Sequence, residues 1–193
     1  MKLDRYEELR HQLVDLGYGK EIEWAESVQA PESPEALWRE YAWVIINSGM
    51  KNQIAEKIWD KVRPEVEGGG SARNVFGHIG KASAIDFGWT YRAMWFRSFT
   101  EGVRRGLPPL AFVEWCESLP WIGPITKWHL AKNLGVDCAK PDRWLERVAA
   151  ASTVRPGETV QELCERLSHA SGDRVATVDL VIWRACNLGL VAL

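Results

Sequence analysis

The chain has 193 residues, long enough for one or two small domains with a buried core. Hydrophobic residues make up 46% and charged residues 26%, as in ordinary globular proteins, and no apolar run is long enough to cross a bilayer, which excludes an integral membrane protein. The formal net charge of −2 argues mildly against a polyanionic partner, although a basic excess after residue 40 leaves room for a nucleic-acid-binding face.

The N-terminal segment "MKLDRYEELRHQL" is charged and amphipathic. It is unlike a secretory signal, so we expect a cytoplasmic protein. A helical apolar face in this segment predicts a first helix that ends at Gly17, with the face formed by Leu3, Leu9, Leu13 and Leu16.

Further helices follow along the whole chain. Ser33 and Pro34 have the chemistry of an N-cap and a first helical residue, Pro64 is expected to stop a helix, and Thr90 is expected to cap one. The stretch "EVEGGGS" is the only one that resembles a linker. The later helices are predicted at residues 34–47, 52–62, 91–105, 109–118, 124–134, 142–150, 159–168 and 173–187.

No run alternates with a period of two, so the predicted fold class is all-α. The cysteines are widely scattered and no pair has CxxC spacing, which gives no indication of a zinc knuckle or an iron–sulfur loop. We expect reduced thiols at Cys116, Cys138, Cys164 and Cys186.

The segment "LPWIGPITKWHLAKNLG" reads as a helix–hairpin–helix. Residues 119–123 form the turn and Pro124 is placed at the first position of the second helix. The free amides and the positive dipole end of that helix form a site for one phosphate. The alternative is a plain connection between two packed helices.

Asp142 follows this unit after Lys140 and Pro141 and precedes another predicted helix. An aspartate at the start of a helix is usually a cap. Here it also lies a fixed short distance after a candidate phosphate site, so a catalytic role is the competing interpretation.

The stretch "LPWIGPITKWHLAKNLGVDCAKPDRWLERV" resembles the helix–hairpin–helix DNA glycosylases, the superfamily of endonuclease III and the alkylpurine glycosylases. Its family pattern is a hairpin "LPGIGxxTA", a helix, and an aspartate that begins a helix ending in arginine. "EYAWVIINSGMKNQIAEKIW", "GWTYRAMWF" and "RVATVDLVIWRACNLG" resemble other family segments, so the similarity extends over roughly residues 38–190.

The resemblance implies a two-lobed fold with a central cleft for double-stranded DNA. Lobe one would comprise about residues 38–135, and lobe two about residues 1–37 with 136–193. Asp142 would be the catalytic carboxylate that stabilises positive charge at the sugar C1′ after the base is flipped out. No cofactor and no iron–sulfur cluster are expected, apart from a structural monovalent cation on the main-chain oxygens of Leu119 and Ile122. We expect a monomer.

The chain departs from the family pattern at three places. The Schiff-base lysine of bifunctional members falls at Ile125, and Lys127 points about 200° away around the helix, so hydrolysis without lyase activity is expected. The first hairpin glycine is Trp121, which suits a type I turn but not a type II turn, and which either presses on DNA or packs inward. The residues expected to contact DNA are Trp121, Gly123, Ile125 and Thr126 of the hairpin and Met50 and Lys51 of the DNA-probing loop.

Eleven tryptophans suggest an aromatic base pocket. Its candidate walls are Tyr91, Trp89, Trp43, Trp128 and Trp144. Such a pocket suits an alkylated purine or a bulky modified base of the kind found in phage DNA. The alternatives are a non-catalytic DNA-binding module on the same fold and a helical protein that binds no DNA.

Overall fold

A computed structural model describes residues Met1–Val191. This part of the chain contains helices and irregular segments but no strand, which confirms the predicted all-α class. A π-helical turn follows the first helix at Val14–Tyr18. The α-helices are α1 Leu3–Leu13, α2 Gly19–Ser27, α3 Pro34–Asn47, α4 Asn52–Glu67, α5 Ile79–Arg104, α6 Pro109–Glu117, α7 Thr126–Asn133, α8 Arg143–Ala150, α9 Val160–Ser171 and α10 Val175–Asn187.

The chain divides into two compact units. The middle unit, Ala30–Gly135, contains α3 to α7. The terminal unit combines Met1–Gln29 with the chain from Val136 onward, and contains α1, α2 and α8 to α10. The first boundary lies at residue 30 and not near residue 38, because the whole of α3 belongs to the middle unit.

The core of the middle unit lies between α3 and α5. Trp38 and Tyr41 of α3 are fully buried. The indole N–H of Trp38 donates to the main-chain oxygen of Ile85 (3.0 Å), and the Tyr41 hydroxyl donates to that of Ala84 (3.2 Å). These bonds satisfy the polar atoms that burial removes from water and fix the two helices side by side.

The terminal unit joins the two ends of the chain in one core. Tyr6 and Leu9 of α1 are fully buried among residues of α8, α9 and α10. The Tyr6 hydroxyl donates to the Asp173 carboxylate, which also pairs with Arg10 at 3.0 Å. An acidic residue just before α10 therefore holds α1 through a partly buried polar network.

The structure differs from several of the predictions made for the helices. Pro64 does not end α4, because Val62 and Val66 on either side of it stay buried and continue the apolar face. Thr90 is not a cap: its hydroxyl donates to the oxygen of Asp86, one turn back inside the single long helix α5. Leu16 is exposed, since the chain kinks at Gly17 (φ 91°) within the π-helical turn.

None of the helices within the described part of the chain combines the length and the apolar character needed to span a membrane.

Candidate functional site

The hairpin between α6 and α7 is a compact turn. It extends from Glu117 to Thr126, so Pro124 lies in the turn and not at the first helical position that the sequence predicted. The N–H of Ile122 donates to the oxygen of Leu119 at 3.1 Å and closes the loop. Leu119 and Ile122 are both buried, and their side chains anchor the turn in the middle unit.

Tyr41 holds the hairpin on α3. Its hydroxyl lies 2.7 Å from the main-chain oxygen of Pro120 and 3.2 Å from that of Ala84 in α5, and its single proton is shared between these two acceptors. Burial raises the pKa of Tyr41, so this hydroxyl remains a donor at any physiological pH. This role could not be predicted from the sequence, since a tyrosine within an apolar helix looks like an ordinary core residue.

The backbone of the hairpin restricts which amides are free for a phosphate. The Gly123 N–H donates to the Thr126 hydroxyl at 2.8 Å, so this amide has an internal acceptor, and the expected contact of Gly123 with DNA stays a prediction. The amides of Ile125 and Thr126 have no acceptor among the described residues. These two amides lie at the N-terminus of α7, where the helix dipole favours an anion.

Trp121 adopts a left-handed backbone conformation, with φ of 65°. Among the described residues it is the only one other than glycine with a positive φ. The expected type I turn is therefore wrong at this position, because its second central residue has a negative φ. A side chain in this conformation costs about 1–2 kcal/mol, so other contacts must hold Trp121 in place.

The contacts that hold Trp121 come from the start of α5. The tip of the indole lies so close to Gly80 that a Cβ atom there would be 2.5 Å from the ring. The ring also meets the imidazole of His78 edge-on, with 5.6 Å between centroids. Half of Trp121 remains exposed, so the residue packs inward with one part and presents the other to solvent. Contact with DNA stays a prediction.

Gly80→Ala is expected to have opposite effects on stability in two backgrounds. In the wild-type chain the new methyl group displaces the indole and lowers the melting temperature. In Trp121→Gly the ring is gone, and alanine raises the melting temperature because it forms helix better than glycine by about 1 kcal/mol. Thermal unfolding of the four proteins measures this coupling. Equal shifts in both backgrounds would contradict the interlock.

Ile125 and Lys127 are the two residues that bear on whether the hairpin contains an amine nucleophile. Ile125 is 58% exposed just before α7 and carries no amine. The Lys127 ammonium lies 2.5 Å from the Glu117 carboxylate and 2.9 Å from that of Glu114, both on α6. Hydrogen bonds to Glu117 and Glu114 raise the pKa of Lys127, which keeps the amine protonated. Lys127 is therefore directed to α6 and is a poor nucleophile.

The proposed cation ligands are main-chain oxygens of the hairpin. The Leu119 oxygen accepts one hydrogen bond, from Ile122, which leaves a second lone pair. The Ile122 oxygen accepts none from the described residues. Main-chain oxygens of this kind can serve as ligands of a monovalent cation. The presence of the cation stays a prediction.

Asp142 is the N-cap of α8. Its Oδ1 atom accepts the N–H of Trp144 (2.9 Å) and that of Leu145 (3.1 Å). Its Oδ2 atom accepts no hydrogen bond from the described part of the chain. One oxygen thus fixes the side chain while the other remains available, so the structural and the catalytic interpretations of Asp142 are compatible. Burial and the nearby Asp142 charge raise the pKa of the Cys186 thiol to about 11.

Side-chain acceptors hold the segment that leads to Asp142. The amide of Lys140 donates to the Asp179 carboxylate at 3.2 Å, and the amide of Ala139 donates to the Gln161 side chain at 3.0 Å. Asp179 is 2% exposed in α10. Asp179 of α10 therefore helps to fix the loop that precedes α8.

The predicted DNA-probing loop connects α3 to α4. Met50 is half-buried and Lys51 is exposed. The expected contact of these two residues with DNA stays a prediction. Lys81, only 6% exposed, donates from its ammonium to the main-chain oxygens of Ser48 (2.6 Å) and Ile46 (3.3 Å). Burial lowers the pKa of Lys81. This lysine ties the start of the loop to α5, a role that the sequence did not indicate.

The aromatic residues of the middle unit do not form one pocket. Trp43 packs against Trp59, and Trp89 meets Trp38 edge-on at 4.8 Å. The Arg92 guanidinium lies 3.8 Å from the centre of the Trp89 ring and covers it. Trp89 is therefore used in packing, and its role as a wall of a base pocket stays a prediction.

Tyr91 lies two residues after Trp89 on α5, about 200° around the helix. Its exposed ring stacks on Phe87 with 4.3 Å between centroids. Trp89 and Tyr91 consequently cannot line the same pocket. Trp128 is half-buried in α7, with the Lys127 ammonium 6.0 Å from its ring centre, and nothing in the structure distinguishes it as a base contact.

Trp144 of the terminal unit is partly buried against the core. Two guanidinium groups lie near its ring, those of Arg143 at 5.1 Å and Arg147 at 5.5 Å from the centroid. This environment is electropositive, and the role of Trp144 as a wall of the base pocket stays a prediction.

Solved structures of 8-oxoguanine DNA glycosylases resemble this chain along nearly its whole length. The enzyme of Thermotoga maritima is 16% identical, covers 94% of this chain and 93% of its own, and has a TM-score of 0.60. The glycosylase/lyase of Methanocaldococcus jannaschii, solved with a 15mer DNA containing 8-oxoguanine, is 17% identical, with 99% of both chains covered and a TM-score of 0.64. No protein-family model and no curated protein matches the sequence.

At this level of identity, the likeness establishes the fold. The chain has the all-α fold of the helix–hairpin–helix DNA glycosylases, as the sequence predicted.

Proposed function

We propose that this protein is a DNA glycosylase that flips a purine out of double-stranded DNA and hydrolyses its N-glycosidic bond. The observation that carries the proposal is Asp142, held by Oδ1 at the head of α8 with Oδ2 free, in a chain that matches DNA glycosylases over nearly its full length. The role in DNA repair follows from that reaction.

In the proposed reaction, Asp142 acts on the sugar. As the bond between C1′ and the base nitrogen breaks, positive charge develops at C1′, and a fixed carboxylate stabilises it. Water then adds to C1′ and loses a proton, and the base leaves with a proton. The products are a free base and an abasic site. The two amides that hold Oδ1 place the charge before the substrate arrives, so little reorganisation is needed.

The proposed enzyme does not cleave the strand. Lyase chemistry needs an unprotonated amine near C1′. Ile125 carries no amine, and Lys127 is paired with two glutamates that raise its pKa. This separates the proposal from the glycosylase/lyase of Methanocaldococcus jannaschii, whose fold the chain shares.

The proposed substrate is an oxidised purine, with 8-oxoguanine tested first, because the solved structures with this fold act on that base. The alkylated purine or bulky phage-type base expected from the sequence has less support, since Trp43 and Trp89 are used in packing. Exposed aromatic groups such as Tyr91 remain available for stacking.

A base-release experiment tests the proposal. The protein is incubated with duplexes that contain 8-oxoguanine, an alkylated purine, uracil or a mismatch, and with phage DNA that carries modified bases. Mass spectrometry identifies any released base, and heating with alkali reveals abasic sites. We expect release of a purine and intact strands before alkali treatment. Salt-dependent duplex binding without release of any base would favour the non-catalytic DNA-binding module, and absence of binding would exclude both.

A further inference from the structure

The start of α8 carries a group of cations outside the hairpin. Arg143 and Arg147 are both exposed, one turn apart, and flank Trp144 in sequence. Their guanidinium carbons lie 5.1 and 5.5 Å from the centre of the same indole ring. This group, Arg143, Trp144 and Arg147, is called the α8 cation pair below. It begins at the residue after Asp142.

The charges of the α8 cation pair are not neutralised within the described chain. Neither Arg143 nor Arg147 is within ion-pair distance of a described carboxylate, even though the exposed Glu146 lies between them on the same helix. By contrast, Arg166 pairs with Glu158 at 2.7 Å and Arg184 with Glu21 at 2.7 Å in the same unit. Carboxylates thus hold several arginines of this unit, whereas Arg143 and Arg147, like Arg155 in the loop before α9, form no ion pair with a described carboxylate. Only Arg143 and Arg147 share an indole ring next to Asp142.

Stacking on Trp144 prepares the two arginines to bind phosphate. A guanidinium over an indole gains about 0.5–1 kcal/mol at an exposed site and loses part of its rotational freedom. The N–H groups of each guanidinium lie in the plane of that group, so they remain available for bidentate hydrogen bonds to a phosphate. Trp144 is itself fixed, since its amide is held by Asp142 and its ring packs on the core.

We propose that the α8 cation pair binds backbone phosphates of DNA next to the nucleotide whose C1′ faces Asp142. The inference rests on the proposed function, because it takes the ligand to be the DNA on which Asp142 acts. The pair also lowers the repulsion between the Asp142 charge and the DNA backbone. Trp144 is then a positioning residue for two arginines and not a wall of the base pocket.

Salt-dependent binding tests the inference. The affinity for a duplex with a central tetrahydrofuran abasic analogue, and for the same duplex undamaged, is measured by fluorescence anisotropy across a salt series. For Arg143→Gln and for Arg147→Gln, we expect affinity to fall three- to tenfold on both duplexes. The slope of log affinity against log salt should decrease by about 0.9 for each lost phosphate contact. Arg155→Gln, an exposed arginine of the same unit, is the matched control and should change neither quantity.

Trp144 variants test the positioning role. Trp144→Phe keeps an aromatic face and should retain the wild-type slope, whereas Trp144→Leu should reproduce the loss seen with the arginine variants. Unaltered slopes in Arg143→Gln and Arg147→Gln, or equal losses in Arg155→Gln, would overturn the inference while leaving the proposed function intact. A wild-type protein that binds neither duplex would contradict both the inference and the proposed function. Failure of the inference alone can therefore be distinguished from failure of the proposed function.

Discussion

Asp142→Asn is expected to lower the rate of base excision by about a thousandfold or more while the protein remains folded. Asparagine retains an oxygen that can accept the amides of Trp144 and Leu145, and it is as good an N-cap as aspartate, so stability should hardly change. The negative charge is lost, and with it the stabilisation of positive charge at C1′, which is worth about 3 kcal/mol or more of barrier. Single-turnover excision with excess enzyme measures the chemical step directly.

Asp137→Asn is the matched control for this experiment. Asp137 lies five residues earlier and also accepts a helix-start amide, that of Ala176 at 2.9 Å. It undergoes the same chemical change, so a general effect of losing one carboxylate would appear in both variants. Binding of the Asp142→Asn protein to DNA should hold or tighten, because a negative charge near phosphates is removed. A folded Asp142→Asn protein that excises at the wild-type rate would reduce Asp142 to a cap and remove the main reason to regard the chain as an enzyme.

Ile125→Lys is expected to create a covalent intermediate that the wild-type protein lacks. Residue 125 matches the position of the Schiff-base lysine in the bifunctional glycosylases that the sequence resembles. Its side chain is exposed, so lysine fits without repacking, and the positive end of α7 disfavours the ammonium form. The amine adds to C1′ of the abasic aldehyde, water is lost, and borohydride reduces the imine to a stable amine. Gel electrophoresis detects the cross-linked product.

Ile125→Met controls for side-chain length without supplying an amine and should give no product. The wild-type protein should also give none, because Lys127 is held by Glu114 and Glu117. A borohydride-trapped complex with the wild-type chain would show that another amine reaches C1′, and the absence of lyase activity would then be wrong. If excision persists in Ile125→Lys but nothing is trapped, residue 125 does not lie near the sugar.

Local patterns in the sequence were enough for the fold class, the hairpin and the role of Asp142 as a cap. Asp142 and Thr159 both became N-caps because a short oxygen-bearing side chain reaches the amides two or three residues ahead without help from the rest of the fold. Helical periodicity likewise depends only on which residues share a face. Periodicity was enough for the all-α class, and the match to glycosylase structures along nearly the whole chain agrees with the fold that the family resemblance implied.

Tertiary packing decided the features that local patterns misjudged. Pro64 and Thr90 look like helix ends in isolation, yet burial of neighbouring apolar residues carries α4 and α5 through them. Trp121 has a left-handed backbone, and its ring packs where Gly80, distant in sequence, leaves room for it. These outcomes depend on free energy gained between residues far apart in the chain.

The same distinction applies to the candidate site. Asp142 could be identified as a catalytic candidate from the sequence, since the number of residues between it and the hairpin can be read directly from the chain. The bonds that position the surrounding segments come from Tyr41, Lys81 and Asp179, each of which contacts a backbone atom of a remote loop. The sequence identified the catalytic candidate, and only the fold revealed what holds it and the hairpin in place, because a side chain's partners across the chain are set by packing and not by local periodicity.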